Sequence, residues 1–361
     1  MKTILVTLRD ITETGGGERV CANLMNALSE FYEIKIISFF KKEDHITYSL
    51  NPRISVEYLS VGAQNSSNPL KKFYNKIFKR IFFSLRTARI IKKQKPDIVF
   101  SNDGTFMPIF KSKASKYIRL WHLNAPRKKK RVFGKYDSLV VLSSKQMDVW
   151  NQYHGNIKVI PNFLPEITEK ITDYNQKTVI SVGRMDAGDQ KGFFRLVDIW
   201  NKVIEDKSLA DWKLHIVGGG ALQSEIESKV NALNLQESVI IKPFVDDIAE
   251  EYLQASIYAM TSRFEGFGMV LAESAAFGLP GVAFDINAGP SDIISDGESG
   301  FLVEDNDIET YAEKLKSLMR DEGMRQRFGT KSKEFVSAKF SKERIIGLWR
   351  DLFDELLIHG K

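Results

Sequence analysis

A chain of 361 residues, 43% hydrophobic and 27% charged with one cysteine, is long enough for two domains and excludes disordered, collagen-like and disulfide-scaffold classes. Its net charge of +6 conceals a split: residues 1–160 hold 29 Lys/Arg against 12 Asp/Glu, and the rest hold 23 against 34, so the first half is set to face something anionic. The N-terminal apolar run Ile4–Leu8 is too short for a secretion signal, no run approaches the ~18 apolar residues of a spanning helix, and Cys21 has no internal partner, so a cytoplasmic location is expected.

Taken in chain order, a strand over Thr3–Thr7 precedes the loop Thr14-Gly15-Gly16-Gly17-Glu18-Arg19-Val20 and a helix ending near Ser29. Strands follow at Glu33–Phe39, Ile98–Ser101, Tyr117–Trp121 and Ser138–Leu142. Between the first and second of these lies Leu70–Ile91, and no acidic residue occurs between Glu57 and Asp97. On a helical wheel Leu70, Phe73, Ile77, Ile81, Phe82 and Leu85 share one arc. Lys72, Lys76, Lys79, Arg80, Arg86 and Arg89 take the other, joined by Phe83. Such a helix packs on a sheet or rests on anionic lipid, and Phe83 among the cations favours lipid. The cluster Arg127–Arg131 adds charge but is too hydrophilic to insert.

A polar stretch from Pro161 to Gln176 separates the halves. Strands resume at Thr178–Val182, Lys213–Val217, Ser238–Lys242, Ser256–Thr261 and Gly281–Phe284, and Ser341–Ile358 reads as a closing helix. Short apolar runs alternating with helical segments predict parallel strands in βα units. The expected fold class is therefore α/β, with two doubly wound sheets that bind ligands at the carboxyl ends of their strands. The expected domains are residues 1–161 and 162–340, with the helix at 341–361 packing back on the first.

Three loops could carry chemistry. Gly15–Gly17 opens a helix, and glycines admit close backbone approach to an anion, although a tight turn would need them too. No G-x-G-x-x-G spacing is present there. Arg184 and Lys191 flank a strand-to-helix loop, where two cations could clamp a diphosphate. In Arg263-Phe264-Glu265-Gly266-Phe267-Gly268-Met269-Val270, followed by Glu273, bare glycines precede a helix whose first amides could receive a phosphate. Carboxylates eight residues apart there suit the hydroxyls of a sugar or ribose.

This ordered set resembles the retaining nucleotide-sugar glycosyltransferases of family 4, which have the GT-B fold. Glu265 to Glu273 matches their E-x7-E signature, and Gly15–Val20 their GGAERV-type loop. Val159-Ile160-Pro161-Asn162 resembles their VIPN junction, Gly183-Arg184 with Lys191-Gly192 their GR…KG pair, and His215–Gly220 a strand-to-helix turn. Gly289–Ile294 with Asp296–Val303 resembles the form found in bacterial surface-polysaccharide members.

The resemblance implies two Rossmann-like domains facing a cleft, and a UDP-linked donor sugar with a glycan or lipid-linked acceptor. Arg184 and Lys191 would hold the diphosphate, Glu273 the ribose, Glu265 the transferred sugar and Val245 the base. His122 would reach the donor sugar. Gly16, Gly17, Phe267, Gly268, Met269 and Val270 complete the implied donor set. Two departures stand out: Arg184 and Lys191 are seven residues apart where five is usual, and the family's His-Asp pair is His122-Leu123-Asn124 here. No cofactor and no metal are expected, since Asp305-Asn306-Asp307 lies in a polar turn far in sequence from the phosphate-binding candidates. Fixed cations and helix amides can neutralise a leaving diphosphate. Partners are then a nucleotide sugar, an acceptor and an anionic membrane surface at the cytoplasmic face, but not nucleic acid. A two-domain NAD-dependent oxidoreductase and a non-catalytic membrane scaffold are the rival readings.

Overall fold

The computed structural model describes residues 1–60, 69–245 and 247–358, the side chains of 69–80 excepted. Among them the chain forms two compact units. One comprises residues 1–142, 147–162 and 342–361, the other residues 143–146 and 163–341. Each unit is built on its own parallel sheet.

In the first unit, β1 (Thr3–Leu8) leads to α1 (Gly16–Leu28), then β2 (Glu33–Ser38), β3 (Ser55–Tyr58) and α2 (Pro69–Gln94). β4 (Ile98–Ser101), β5 (Lys116–Trp121), β6 (Ser138–Val141), α3 (Met147–Tyr153) and β7 (Ile157–Val159) follow. The strand order is β3-β2-β1-β4-β5-β6-β7. Central strands are apolar along both faces: Ile4, Leu5, Val6, Ile98, Val99 and Phe100 are all buried, as a sheet covered on two sides requires. α1 buries Cys21, Leu24, Met25 and Leu28, the three-to-four spacing of one helical stripe.

The second unit alternates without interruption. β8 (Thr178–Val182), α4 (Phe193–Val203), β9 (Lys213–Val217), α5 (Gln223–Ala232), β10 (Val239–Lys242) and α6 (Ala249–Leu253) form its first half. β11 (Ile257–Met260), α7 (Met269–Ala276), β12 (Gly281–Phe284), α8 (Pro290–Ile293), β13 (Gly300–Val303), α9 (Ile308–Arg320) and α10 (Glu322–Lys339) form the second. The strand order is β10-β9-β8-β11-β12-β13. Two polar side chains that enter this core are bonded there: Trp200 Nε1 donates to Ser238 Oγ at 3.1 Å, and the Tyr311 hydroxyl to the Val282 carbonyl at 2.6 Å.

The chain then returns to the first unit as α11 (Lys342–Ile358). Its apolar stripe of Ile345, Ile346, Trp349, Leu352, Phe353 and Leu356 is buried. Trp349 lies 5.3 Å from the Phe100 ring and Phe353 5.4 Å from Tyr32. Burying two such aromatic rings contributes several kcal/mol, on the order of 1.5–3 kcal/mol each.

Three strands escape the sequence pattern: β3, β7 and β13. Each is an edge strand of three or four residues, and short edges carry little hydrophobic signature.

α2 corrects one expectation. Phe83 is 5% exposed, packed 5.6 Å from the Phe39 ring and 5.4 Å from Phe40, whereas Ile81 and Phe82 are 39% and 52% exposed. The face that meets the sheet is Phe83, Ser84, Thr87 and Ile91. Small hydroxyl residues tuck under the helix where a wheel sorted by polarity would turn them outward. Lys72, Lys76, Lys79 and Arg80, with Leu70, Phe73 and Ile77, lie outside the described side chains. Among the described residues no helix is long and apolar enough to cross a membrane.

Candidate functional site

Both sheets change direction once. In the second unit the order reverses between β8 and β11, and the loops leaving those two strands diverge there to leave a crevice. Those loops carry Arg184, Lys191 and Glu265, three of the residues singled out in the sequence.

The loop after β8 is held by backbone. Gly183 N donates to Val217 O at 3.0 Å and Met185 N to Gly219 O at 2.8 Å. This pairing brings the loop so close to the glycine run after β9 that any side chain on Gly218, whose φ is +144°, would strike the Gly183 carbonyl. Arg184 projects into solvent beside Asp186, 3.2 Å away. The longer Arg184–Lys191 spacing is absorbed by a tied turn rather than a loose one. Asp189, at φ +48°, accepts from Phe193 N at 2.8 Å and so caps α4. Gln190 Nε2 donates to Phe264 O at 3.1 Å, and Gln190 O accepts from Arg263 N at 2.8 Å. Gly192 enters α4 at φ +71°, and a Cβ there would collide with the Thr261 carbonyl.

Lys191 is thereby delivered to the loop after β11. Its Nζ stands 2.8 Å from Glu265 Oε1, with side-chain exposures of 20% and 9%. The same oxygen accepts from Ser262 Oγ at 2.7 Å. Glu273, in the second turn of α7, is also buried. Both carboxylates bear on Tyr258: burial, and then the charges of Glu265 and Glu273, push its hydroxyl well above the usual range.

Gly268 caps α7 in the left-handed region, φ +93°. Its carbonyl already accepts from the amides of Leu271 and Ala272. The amides of Met269 and Val270 meet no acceptor among the described residues, so the helix start presents free donors with its positive dipole end. The Phe267 ring turns inward, edge-on to Phe340 at 4.9 Å. Val245 is half-buried beside an exposed Phe244.

In the first unit the order reverses between β1 and β4, and the glycine loop and Asn102 stand there. Asn102 N donates to Thr7 O at 2.9 Å, and its side-chain amide reaches the Gly17 carbonyl at 3.5 Å. Its Oδ1 lies 3.0 Å from Nε2 of His122, just past β5. Because that amide group is directed at a carbonyl, Oδ1 faces the imidazole as acceptor, which places the proton on Nε2 and leaves Nδ1 as an acceptor. Burial, opposed by the Asn102 contact and aided by the Arg119 charge, lowers the His122 pKa to about 4. The imidazole is neutral at pH 7. Gly16 and Gly17 have no positive φ, and a Cβ on either would meet no heavy atom within 4 Å. Local geometry does not demand glycine there.

Two residues with roles in this geometry were missed in the sequence, Ser262 and Asn102. Each is a small polar residue one or two positions past a strand, a placement with no signal of its own. The Asp305–Asp307 triplet is engaged otherwise: Asp305 pairs with Arg195 at 2.7 Å, and Asp307 caps α9 through Thr310 N at 3.0 Å. Among the described residues no cluster of three His, Cys, Asp or Glu could hold a metal ion.

The family described as "Glycosyl transferases group 1" matches residues 165–335, within the second unit. The amylovoran biosynthesis glycosyltransferase AmsD of Erwinia amylovora is 28% identical over 98% of this chain and 100% of its own length. The N-acetylgalactosamine-N,N'-diacetylbacillosaminyl-diphospho-undecaprenol 4-alpha-N-acetylgalactosaminyltransferase of Campylobacter jejuni is 27% identical over 92% of this chain and 94% of its own. Among solved structures, S. aureus TarM in complex with Fondaparinux, alpha-GlcNAc-glycerol and UDP superposes with a TM-score of 0.77 at 18% identity, covering 98% of this chain and 100% of that one.

Proposed function

The chain belongs to the group 1 glycosyl transferases with the GT-B fold, a glycosyltransferase of bacterial surface glycan biosynthesis, and we propose that it moves a sugar from a UDP-linked donor to a lipid-linked or polysaccharide acceptor with retention of configuration. The rival readings as an oxidoreductase or a non-catalytic scaffold give way to the family. The observation that carries the site is the convergence, at one strand-order reversal, of a part-buried Lys191–Glu265 pair with the unpaired amides of Met269 and Val270. The UDP in the TarM complex and the undecaprenyl diphosphate in the name of the Campylobacter relative support the donor and acceptor classes.

In this reading Arg184, Lys191 and the α7 amides of Gly268, Met269 and Val270 grip the diphosphate. They neutralise the charge that builds on its oxygen as the bond to the anomeric carbon breaks, which needs no metal. Glu265, fixed by Ser262 and Lys191, accepts hydroxyls of the transferred sugar. Glu273 takes the ribose diol, Val245 lies on the base, and the backbone of Phe267 follows the phosphates. The acceptor oxygen bonds to the anomeric carbon from the leaving-group side, and its proton passes to the departing phosphate oxygen. No protein base is required. His122, neutral with Nδ1 open, accepts a sugar hydroxyl, and the absence of any local demand for Gly16 and Gly17 favours a ligand passing close to their backbone.

The exposed pair Ile81 and Phe82, flanked by the exposed cations Arg86, Arg89, Lys92 and Lys93, supports peripheral contact with an anionic membrane. A transfer assay on lipid-linked acceptors with UDP-sugars tests the reading. Glu265→Gln and Arg184→Ala should each cut turnover by about 10²–10³ while the fold is retained; normal turnover in both would refute the site.

A further inference from the structure

Behind the Lys191–Glu265 pair lies a buried cation that the functional reading does not use. Arg195 sits in the first turn of α4, and each of its three nitrogens is engaged. Nε donates to the Thr261 carbonyl at 2.6 Å and Nη2 to the Ser262 carbonyl at 2.6 Å. Nη1 donates to Asp305 Oδ1 at 2.7 Å and Asn306 Oδ1 at 3.0 Å. The guanidinium lies 4.2 Å from the centroid of the Phe284 ring.

The two clamped peptides are those on which the pair depends. Thr261 Oγ1 donates to the carbonyls of Lys191, at 3.1 Å, and Gly192, at 2.9 Å. Ser262 Oγ donates to Glu265 Oε1. One planar fork therefore fixes the strand end that holds the backbone of the lysine and the hydroxyl that orients the carboxylate.

Helix stability does not account for this residue, because a cation in the first turn opposes the helix dipole. Nor is burying an ion pair a dependable source of stability, since desolvation offsets the attraction. The fork geometry also suits a guanidinium and not an ammonium, which donates as a point charge. Asp305 and Asn306, which resemble part of a metal motif in sequence, supply the acceptors on its third side.

We propose that Arg195 is a positioning residue of the donor site. By clamping the carbonyls of Thr261 and Ser262 it sets the relative placement of Lys191 and Glu265, and Asp305 is its counter-charge. The use made of that placement rests on the functional reading above; the clamp itself does not.

The test uses the full chain with Arg195→Met and Arg195→Lys, read by hydrogen exchange without ligand and by calorimetric titration with UDP. Arg195→Met should speed exchange in segments 189–193 and 261–268 while β9 and β12 keep wild-type protection. Its UDP affinity should fall about tenfold or more, the scale expected when binding groups are displaced by about an ångström. Arg195→Lys, which can reach one carbonyl at a time, should recover part of both. Exchange raised evenly across β8–β13, or unchanged in 261–268, would show a plain packing role and overturn the proposal. If wild-type protein fails to bind UDP, the functional reading falls while the exchange result still decides the clamp. Should Arg195→Met not fold, Asp305→Ala replaces it: faster exchange in the same two segments supports the clamp, and unchanged exchange there counts against it.

Discussion

Lys191 and Glu265 are 74 residues apart in the chain and 2.8 Å apart in the structure, joined through an oxygen that Ser262 also holds. Each partner shields the other from water, so neither side chain is free to wander. A carboxylate fixed in this way is prepared to receive hydroxyls, and the ammonium beside it is prepared to meet a phosphate once a ligand displaces water.

Glu265→Gln keeps the shape of that side chain and removes its charge. Transfer should fall by about 10²–10³, the usual scale for a lost preorganised polar contact. UDP binding should persist, because Lys191 then lacks its competing carboxylate. Calorimetry with UDP beside a turnover assay separates the two effects.

Gly17→Ala should separate folding from function in the first unit. The position lies in the first turn of α1 with open space around it, and alanine exceeds glycine by roughly 0.5–1 kcal/mol in a helix. The thermal midpoint should hold or rise while turnover drops. Lost stability would mean that the loop is merely a tight turn.

Gly192→Ala should behave in the opposite way. The position combines a left-handed backbone with a collision against Thr261, so a loss of about 1–3 kcal/mol or more is expected from strain, measured by urea denaturation.

His122 provides a pH signature. Its folded-state pKa is lowered to about 4, so the unfolded chain binds a proton first as pH falls from the ordinary histidine value. This group's contribution to stability is full above about pH 6.5 and is lost as pH drops toward 4. An imidazole NMR titration should show His122 unprotonated at pH 5.5.

On α2, Phe83→Ala should cost about 3–5 kcal/mol as a core truncation. Phe82→Ala should leave stability nearly unchanged and weaken pelleting with anionic liposomes. The reverse pattern would restore the face assignment drawn from the wheel.

That helix also shows where sequence reading ran out. Amphipathic patterning located α2, but polarity sorting could not foresee that Ser84 and Thr87 would face the sheet and bring Phe83 in with them. The strands buried on both faces were legible from apolar runs such as Ile98–Ser101, whereas the short edge strands were not: β3 and β7 have half-polar faces, and β13 is only four residues long. Arg184, Lys191 and Glu265 were found through glycine and charge spacing. Ser262, Asn102 and Arg195 were not found: Asn102 and Arg195 act on partners far along the chain, and Ser262 is one small polar residue beside Glu265 with no spacing signal. The lengthened Arg184–Lys191 loop looked like a departure in sequence; Asp189 and Gln190 anchor it so that Lys191 reaches Glu265.

The most direct measurement is hydrogen exchange of the full chain with and without saturating UDP. Slowed exchange in segments 183–192, 243–245 and 264–273 is the predicted result, since these contain the proposed diphosphate, base and ribose contacts. Unchanged exchange in all three, or protection confined to other segments, would contradict the donor site.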